Sequence, residues 1–155
     1  MTLSASILYR LQTQHLSLPT IIKGLNDDRL ERNIIPGKWS IRDNIAHLTR
    51  YQPIFLGRIN TMLSDLEPVF ESYRAENDQE FDQWLKKSSA PLMDELNESR
   101  NSLVECLTRL NEKELGRCGV HPNFGRMTIL DWTEFFLLHE SHHLFTIFRL
   151  AHMPG

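Results

Sequence analysis

Apolar residues recur at three- and four-residue spacings along most of the chain, which is typical of amphipathic helices that bury one face. The first such run contains Leu3, Ile7, Leu8, Leu11, His15, Leu18 and Ile22. It predicts a helix that ends at or near Gly24, because glycine commonly follows the last turn of a helix. A second helix is predicted over about 41–66. It begins after Ser40, which forms an S-x-x-D start signal with Asp43, and it contains Pro53.

Two more long helices and a short one complete the pattern. Phe81, Trp84 and Leu85 indicate a short helix, and Pro91 suits an early position of the third long helix. The apolar positions of that helix are Leu92, Leu96, Leu103, Leu107 and Leu110. A loop is expected over 116–126 and a last helix over about 128–151. Because no stretch alternates convincingly with period two, the sequence predicts one all-α domain over 1–155, an antiparallel four-helix bundle.

Composition excludes several classes of protein. The 155 residues are 41% hydrophobic and 24% charged, which is typical of one globular domain. A formal net charge of −3 argues against a nucleic-acid partner, because such binding depends on basic residues. No signal peptide or uninterrupted membrane-length apolar run is visible, so we expect a cytoplasmic protein with no membrane partner. The two cysteines, Cys106 and Cys118, give no disulfide framework.

The segment "LLHESHHLFTIF" places histidines in an apolar helix. At about 100° per residue, His139 and His143 lie about 40° apart, on the face that carries Trp132 and Phe136. His142 falls about 60° to the other side of His139 and is expected at the boundary, while Glu140, about 100° away, is expected on the flank. A single core histidine is usually structural, so this pair needs a third ligand from another helix.

His47 is the candidate third ligand, since it lies about two turns into the second helix on a face with Asn44 and Tyr51. Three imidazoles on two facing helices could bind a divalent metal and leave positions open for water or substrate. Asp43 could hold the other ring nitrogen of His47, or it could serve only at the helix start. The remaining histidines show no convergent signal: His15, His121 and His152.

Two segments carry a resemblance to a known family. "KWSIRDNIAHL", followed after about seventy residues by "HPNFGRMTILDWTEFFLLHESHHLFTIFRL", resembles the DinB-like superfamily, which includes the YfiT-type metal-dependent proteins. The similarity extends from the first helix to Leu150. It implies a four-helix bundle of the up-up-down-down type with three histidine ligands, which match His47, His139 and His143.

The resemblance also implies functions, and more than one fits. One is a metal-dependent transferase that joins a low-molecular-weight thiol to an electrophilic small molecule. Its nucleophile would come from the thiol co-substrate rather than from Cys106 or Cys118. A hydrolase that uses metal-activated water fits the same residues, and a non-enzymatic metal-binding or interaction bundle is the third hypothesis. Imidazole ligands suit zinc, nickel, copper or iron, and among these metals we expect zinc or nickel.

A homodimer is also expected. The last helix has a second apolar stripe opposite the histidine face, formed by Leu130, Leu137, Leu144 and Phe148. One helix cannot bury both faces against the same core, so either neighbouring helices or a second subunit must cover this stripe. Two-fold pairing is the commonest arrangement of a second subunit.

Overall fold

The computed structural model describes residues 2–154 and is mostly helical. The α-helices are α1 (Ala5–Thr13), α2 (Leu18–Ile21), α3 (Asp27–Glu31), α4 (Ile41–Ser64), α5 (Phe81–Leu85), α6 (Ser89–Arg109), α7 (Glu112–Leu115) and α8 (Ile129–His152). Two short strands, β1 (Cys118–His121) and β2 (Gly125–Thr128), pair antiparallel. Within residues 2–154, none of the helices has the length and apolar character needed to cross a membrane.

A four-helix bundle forms the body of the molecule, as predicted. Its long elements are α1 with α2, α4, α6 and α8, and α4 packs against both α6 and α8. The predicted inner face of α8 is confirmed, since Trp132, Phe136 and Leu150 are buried. Phe136 stacks on Phe55 of α4 with ring centroids 4.7 Å apart. The two helices expected to carry histidines are therefore held face to face by a packed aromatic contact.

Capping boxes set the start of both histidine-bearing helices. The Ser40 side chain accepts from the Asp43 amide, and the Asp43 carboxylate accepts from the Ser40 amide. Thr128 and Asp131 make the same reciprocal pair at the start of α8. Each box satisfies amides that have no partner within the helix. The two capping boxes therefore define where α4 and α8 begin. The position of each helix start determines that His47, His139 and His143 face the bundle interior.

The first predicted helix is divided, which corrects the continuous helix expected up to Gly24. A 3₁₀ turn over Gln14–Ser17 separates α1 from α2. Pro19 has no amide hydrogen to donate to the His15 carbonyl, so the α-helical ladder cannot continue there, and the Leu18 amide donates to that carbonyl instead. Gly24 does end the segment, with φ at +82°.

The loop expected over 116–126 contains a β-hairpin, and this corrects the prediction of a protein without strands. Cys118 pairs with Thr128 and His121 with Gly125. Four-residue strands with such mixed residues give too little alternation to detect by period. The hairpin also holds the segment after α4, since the Phe70 amide donates to the Val120 carbonyl at 3.0 Å. It thereby places His121 and residues 70–73 beside the bundle.

The apolar stripe opposite the histidines is mostly covered by the chain itself. Leu137 and Leu144 are buried, whereas Phe148 is 45% exposed. The α8 helix is packed by α4 on one side and by α1 and α2 on another, so more than one of its faces is interior. The exposed apolar residues of α8 are Leu138, Phe145 and Phe148. A dimer surface on α8, if formed, would use these residues rather than the predicted stripe.

Candidate metal centre

The structure brings His47 of α4 together with His139 and His143 of α8. One ring nitrogen from each lies within 4.8 Å of the other two. The Nε2 atoms of His47 and His139 are 3.1 Å apart, and the His47 and His143 ring centroids are separated by 4.5 Å. The one-turn spacing of His139 and His143 and the facing position of His47 thus produce the convergence that the sequence suggested.

All three imidazoles are held in the neutral form. Burial lowers the pKa of His47 to about 3, with His139 adding a smaller electrostatic effect. Burial likewise lowers the pKa of His139 to about 4 and, with contributions from neighbouring histidines, that of His143 to about 2. A proton on any one ring would be poorly solvated and close to the others. At neutral pH the cluster therefore presents lone pairs, the form that ligates metals.

Asn44 fixes the orientation of His143. Its Nδ2 donates to the Ser40 carbonyl at 2.8 Å, which turns Oδ1 toward His143, and Oδ1 lies 2.8 Å from His143 Nδ1. A neutral His143 therefore carries its proton on Nδ1 and keeps the lone pair on Nε2. In the sequence, the one sign of this role is that Asn44 lies on the same face of the helix as His47.

Asp43 does not hold His47, which corrects one of its two predicted roles. Its carboxylate caps α4 through Ser40, as the alternative held. The Nδ1 atoms of His47 and His139 are buried and find no hydrogen-bond partner in the part of the chain that the structure describes. Because the Asp43 carboxylate accepts from the Ser40 amide at the start of α4, it does not contact the His47 ring.

Aromatic rings surround the cluster. The Trp39 ring lies 5.0 Å from that of His47 and 6.1 Å from that of His143, measured between centroids. Tyr73 stacks on His47 at 5.7 Å, and Tyr51 lies 4.6 Å from His139. These rings explain the burial of the imidazoles. They also exclude bulk water from the sides of the site.

A cleft of about 300 Å³ opens beside His139. Its walls include Tyr51, Arg58, His121, Phe124 and Phe135. His121 shows no convergent signal in the sequence, yet it is buried here because the hairpin carries it to the bundle. Sequence spacing could not reveal this, since the hairpin itself was not predicted. The cleft connects the histidine cluster with the molecular surface.

The other histidines lie outside the cluster. His142 is exposed, as its predicted boundary position implies, and His152 is exposed at the end of α8. His15 is buried, where its Nδ1 lies 3.2 Å from Arg100 Nη1. Since arginine only donates, a neutral His15 accepts this bond and carries its own proton on Nε2. Its role is structural.

Glu140 was predicted to lie on the helix flank, but the structure shows that it is fully buried. It forms an ion pair with Arg100, which is also 0% exposed. Gln52 accepts from Arg100 Nε at 2.9 Å, and Gln14 donates to the second Glu140 oxygen at 2.9 Å. The prediction failed because α8 is enclosed on two sides, so the flank of this helix is interior. Both carboxylate oxygens of Glu140 are occupied by this network.

Comparison with known proteins identifies a family and a shared fold. The sequence model of the DinB superfamily matches residues 10–147, a span that includes all three clustered histidines. The solved structure of YfiT from Bacillus subtilis, described as "a probable metal-dependent hydrolase with an unusual four-helix bundle topology", superimposes with a TM-score of 0.80 at 17% identity. The match covers 94% of this chain and 84% of that one, and it shows the shared fold.

Two curated relatives are similar over most of their length. "Putative metal-dependent hydrolase OB0413" of Oceanobacillus iheyensis is 26% identical over 145 residues, which cover 88% of this chain and 79% of that protein. "Uncharacterized protein YuaE" of Bacillus subtilis is 26% identical over 135 residues, covering 79% of this chain and 83% of that one. Both likenesses extend over enough of the chain to include most of the bundle.

Proposed function

The chain belongs to the DinB superfamily, and from this premise we propose that it is a metal-dependent hydrolase of small molecules. In this proposal His47, His139 and His143 hold one divalent ion. The observation that carries it is the convergence of three neutral ring nitrogens within 4.8 Å of one another. The similarity to OB0413 and YfiT, both described as metal-dependent hydrolases, supports the same class of activity.

The residues fit a metal ion by their donor chemistry. Two nitrogen ligands about 2.0–2.1 Å from a tetrahedral zinc ion lie roughly 3.3 Å from each other. The His47 and His139 Nε2 atoms, 3.1 Å apart, are close to this spacing. Their Nδ1 atoms are buried and have no hydrogen-bond partner within residues 2–154, so a shared ligand at Nε2 would be the main polar contact of each ring. A three-histidine set is also typical of catalytic rather than structural sites, because it leaves a coordination position open.

The ion would supply Lewis acidity, which activates water at neutral pH and polarises a carbonyl group. The chain supplies the rest. Asn44 accepts the Nδ1 proton of His143 and so leaves the Nε2 lone pair of that ring free to bind the ion. Trp39 and Tyr73 shield the imidazoles from bulk solvent, which strengthens electrostatic interactions inside the site. The Tyr51 ring lies next to that of His139, and burial raises the pKa of Tyr51, so its hydroxyl keeps its proton.

We propose zinc or nickel as the ion. Imidazole nitrogen suits both metals, and no sulfur or carboxylate ligand accompanies the three histidines within residues 2–154. Calcium and magnesium prefer oxygen ligands, which the three imidazoles do not supply.

A thiol transferase is the competing proposal for the same centre. Neither cysteine belongs to the histidine cluster. Cys118 is buried in β1 with its thiol directed to the Gly116 carbonyl, and burial raises the pKa of Cys106, which keeps that thiol protonated. The nucleophile of a transferase would therefore have to come from a low-molecular-weight thiol. The cleft beside His139 has room for a small co-substrate.

Turnover measurements distinguish these proposals. Protein loaded with zinc or nickel is incubated with a panel of small esters and amides, with and without L-cysteine as a thiol, and the products are identified by mass spectrometry. The hydrolase proposal predicts metal-dependent hydrolysis without thiol. This activity should be lost in His139→Ala and retained in the matched control His142→Ala, whose side chain is exposed outside the cluster. Products that contain cysteine would favour the transferase, and metal-loaded protein without turnover would favour a non-enzymatic bundle.

A further inference from the structure

Arg58 is a half-buried cation on α4 beside the candidate metal centre. Its Nη1 donates to the Tyr51 hydroxyl at 3.3 Å and its Nη2 to the Glu71 carbonyl at 2.8 Å. The guanidinium also lies over the rings of Phe70 and Trp132, 5.4 and 5.3 Å from their centroids. Among residues 2–154, no carboxylate forms an ion pair with it. Its positive charge is therefore held in place but not neutralised.

No acidic side chain among residues 2–154 lines the cleft that Arg58 shares with His139. Burial and the nearby Arg58 lower the pKa of His121, so its ring is neutral. The amides of Asn123 and Phe124 donate to His121 Nδ1 at 3.1 and 3.3 Å, so the neutral ring carries its proton on Nε2. The polar side chains Arg58, Tyr51 and His121 thus give the cleft an excess of hydrogen-bond donors.

We infer that Arg58 binds the carboxylate of a small organic-acid substrate and thereby presents its other end to His139. This inference rests on the proposed function and names the substrate class for the same centre. A guanidinium is planar and pairs well with carboxylates, and a partly desolvated cation gains most from an anionic partner. Tyr51 links the two ends of the cleft, since its hydroxyl contacts Arg58 and its ring contacts His139.

The size and walls of the cleft limit the substrate further. Its volume of about 300 Å³ is at the small end of ligand sites, so a molecule of about one ring fits better than a larger ligand. Phe124 and Phe135, whose ring centroids are 5.6 Å apart, provide an apolar wall. Phe124 is 62% exposed and belongs to the hairpin turn, so it could cover the apolar part of a bound acid. The substrate class is therefore a small acid with an apolar or aromatic body.

Binding to metal-free protein tests this inference without requiring turnover. Benzoate and its uncharged analogue benzyl alcohol are titrated into the protein by calorimetry. Without metal, the carboxylate cannot bind the ion in place of Arg58. We expect benzoate to bind about ten- to a hundredfold more tightly than benzyl alcohol, as a charge-assisted hydrogen bond allows. The preference should disappear in Arg58→Gln, fall several-fold in Arg58→Lys and persist in Arg74→Gln, an exposed arginine outside this cleft.

Two outcomes would overturn the inference: equal binding of both probes by the wild type, or an undiminished preference in Arg58→Gln. Circular dichroism establishes whether each variant is folded. If Arg58→Gln does not fold, Arg58→Lys provides the test. If Arg58 only anchors residues 70–73 to α4, its variants will melt at lower temperature but keep the preference. Failure of the proposed function would instead appear as absent metal uptake or absent metal-dependent hydrolysis, neither of which this titration measures.

Discussion

His143 donates its Nδ1 proton to Asn44 Oδ1 over 2.8 Å, from α8 to α4. The bond joins the two helices of the candidate metal centre and selects the ring tautomer whose Nε2 can act as a ligand. Asn44 is 2% exposed, so this contact is shielded from competing water. Partners of this kind commonly determine how well a ligand is oriented.

Replacing Asn44 by Ala should weaken zinc binding about 10- to 100-fold, because His143 loses the acceptor that fixes its ring. The affinity is measured by competition with a chelator of known strength. Asn60→Ala provides a matched control, since Asn60 is exposed on the same helix. An unchanged affinity in Asn44→Ala would show that the hydrogen bond does not orient a ligand.

The buried ion pair of Arg100 and Glu140 predicts a large effect on stability. Glu140→Ala leaves the Arg100 charge buried without its carboxylate, and it should lower the free energy of unfolding by about 3–5 kcal/mol. Replacing both residues, as in Arg100→Met with Glu140→Leu, should recover much of this loss because no charge then remains buried. Urea denaturation measures both effects.

A matched control is the more exposed pair of Arg10 and Glu134, whose side chains retain 29% and 39% of their exposure. Glu134→Ala should cost less than about 1 kcal/mol, as surface ion pairs do. Equal losses in Glu140→Ala and Glu134→Ala would contradict the importance of burial in this network.

His15 should contribute to acid sensitivity. Burial and nearby Arg100 lower its pKa to about 4 in the folded protein, while an unfolded chain retains the ordinary value of 6.5. Between these values the unfolded state binds more protons, so stability decreases as the pH falls from 6.5 to about 4. His15→Asn, which keeps an acceptor for Arg100, should flatten this part of the stability curve of metal-free protein. Parallel curves for the variant and the wild type would contradict the assignment.

The homodimer remains a prediction, now placed on the exposed face of α8. Leu138, Phe145 and Phe148 are 58%, 61% and 45% exposed and are spaced seven and three residues apart. Phe145→Asp should therefore shift a dimer toward monomer in sedimentation experiments, because it buries a charge in an apolar interface. Leu66→Asp, at a site 92% exposed elsewhere, should not. A wild type that is monomeric at micromolar concentration would contradict the prediction.

The sequence predicted the parts of this protein that depend on helical periodicity. The long helices follow from three- and four-residue spacings, and the starts of α4 and α8 follow from residues that can cap a helix. The convergence of His47 with His139 and His143 could be expected because all three lie on inward faces of facing helices. The structure confirms that the three rings form a cluster, and α4 and α8 supply all three residues.

Other features depend on contacts between segments far apart in the chain. Glu140 became interior because α8 is enclosed on two sides, and its partner Arg100 lies forty residues earlier. His121 reaches the cleft through a hairpin whose strands are too short to show alternation. Arg58 is held by Tyr51 of its own helix, but also by the Glu71 carbonyl and the Trp132 ring, which lie outside α4. None of these contacts leaves a local pattern.

Elemental analysis of four variants tests the central claim most directly. After loading with zinc or nickel and removal of free metal, the wild type should retain about one equivalent. His47→Ala, His139→Ala and His143→Ala should each lose most of it, because each removes one of three converging nitrogens. His142→Ala should retain it, since that side chain is exposed outside the cluster. A wild type that binds no stoichiometric metal, or His142→Ala losing metal as fully as His143→Ala, would contradict the account.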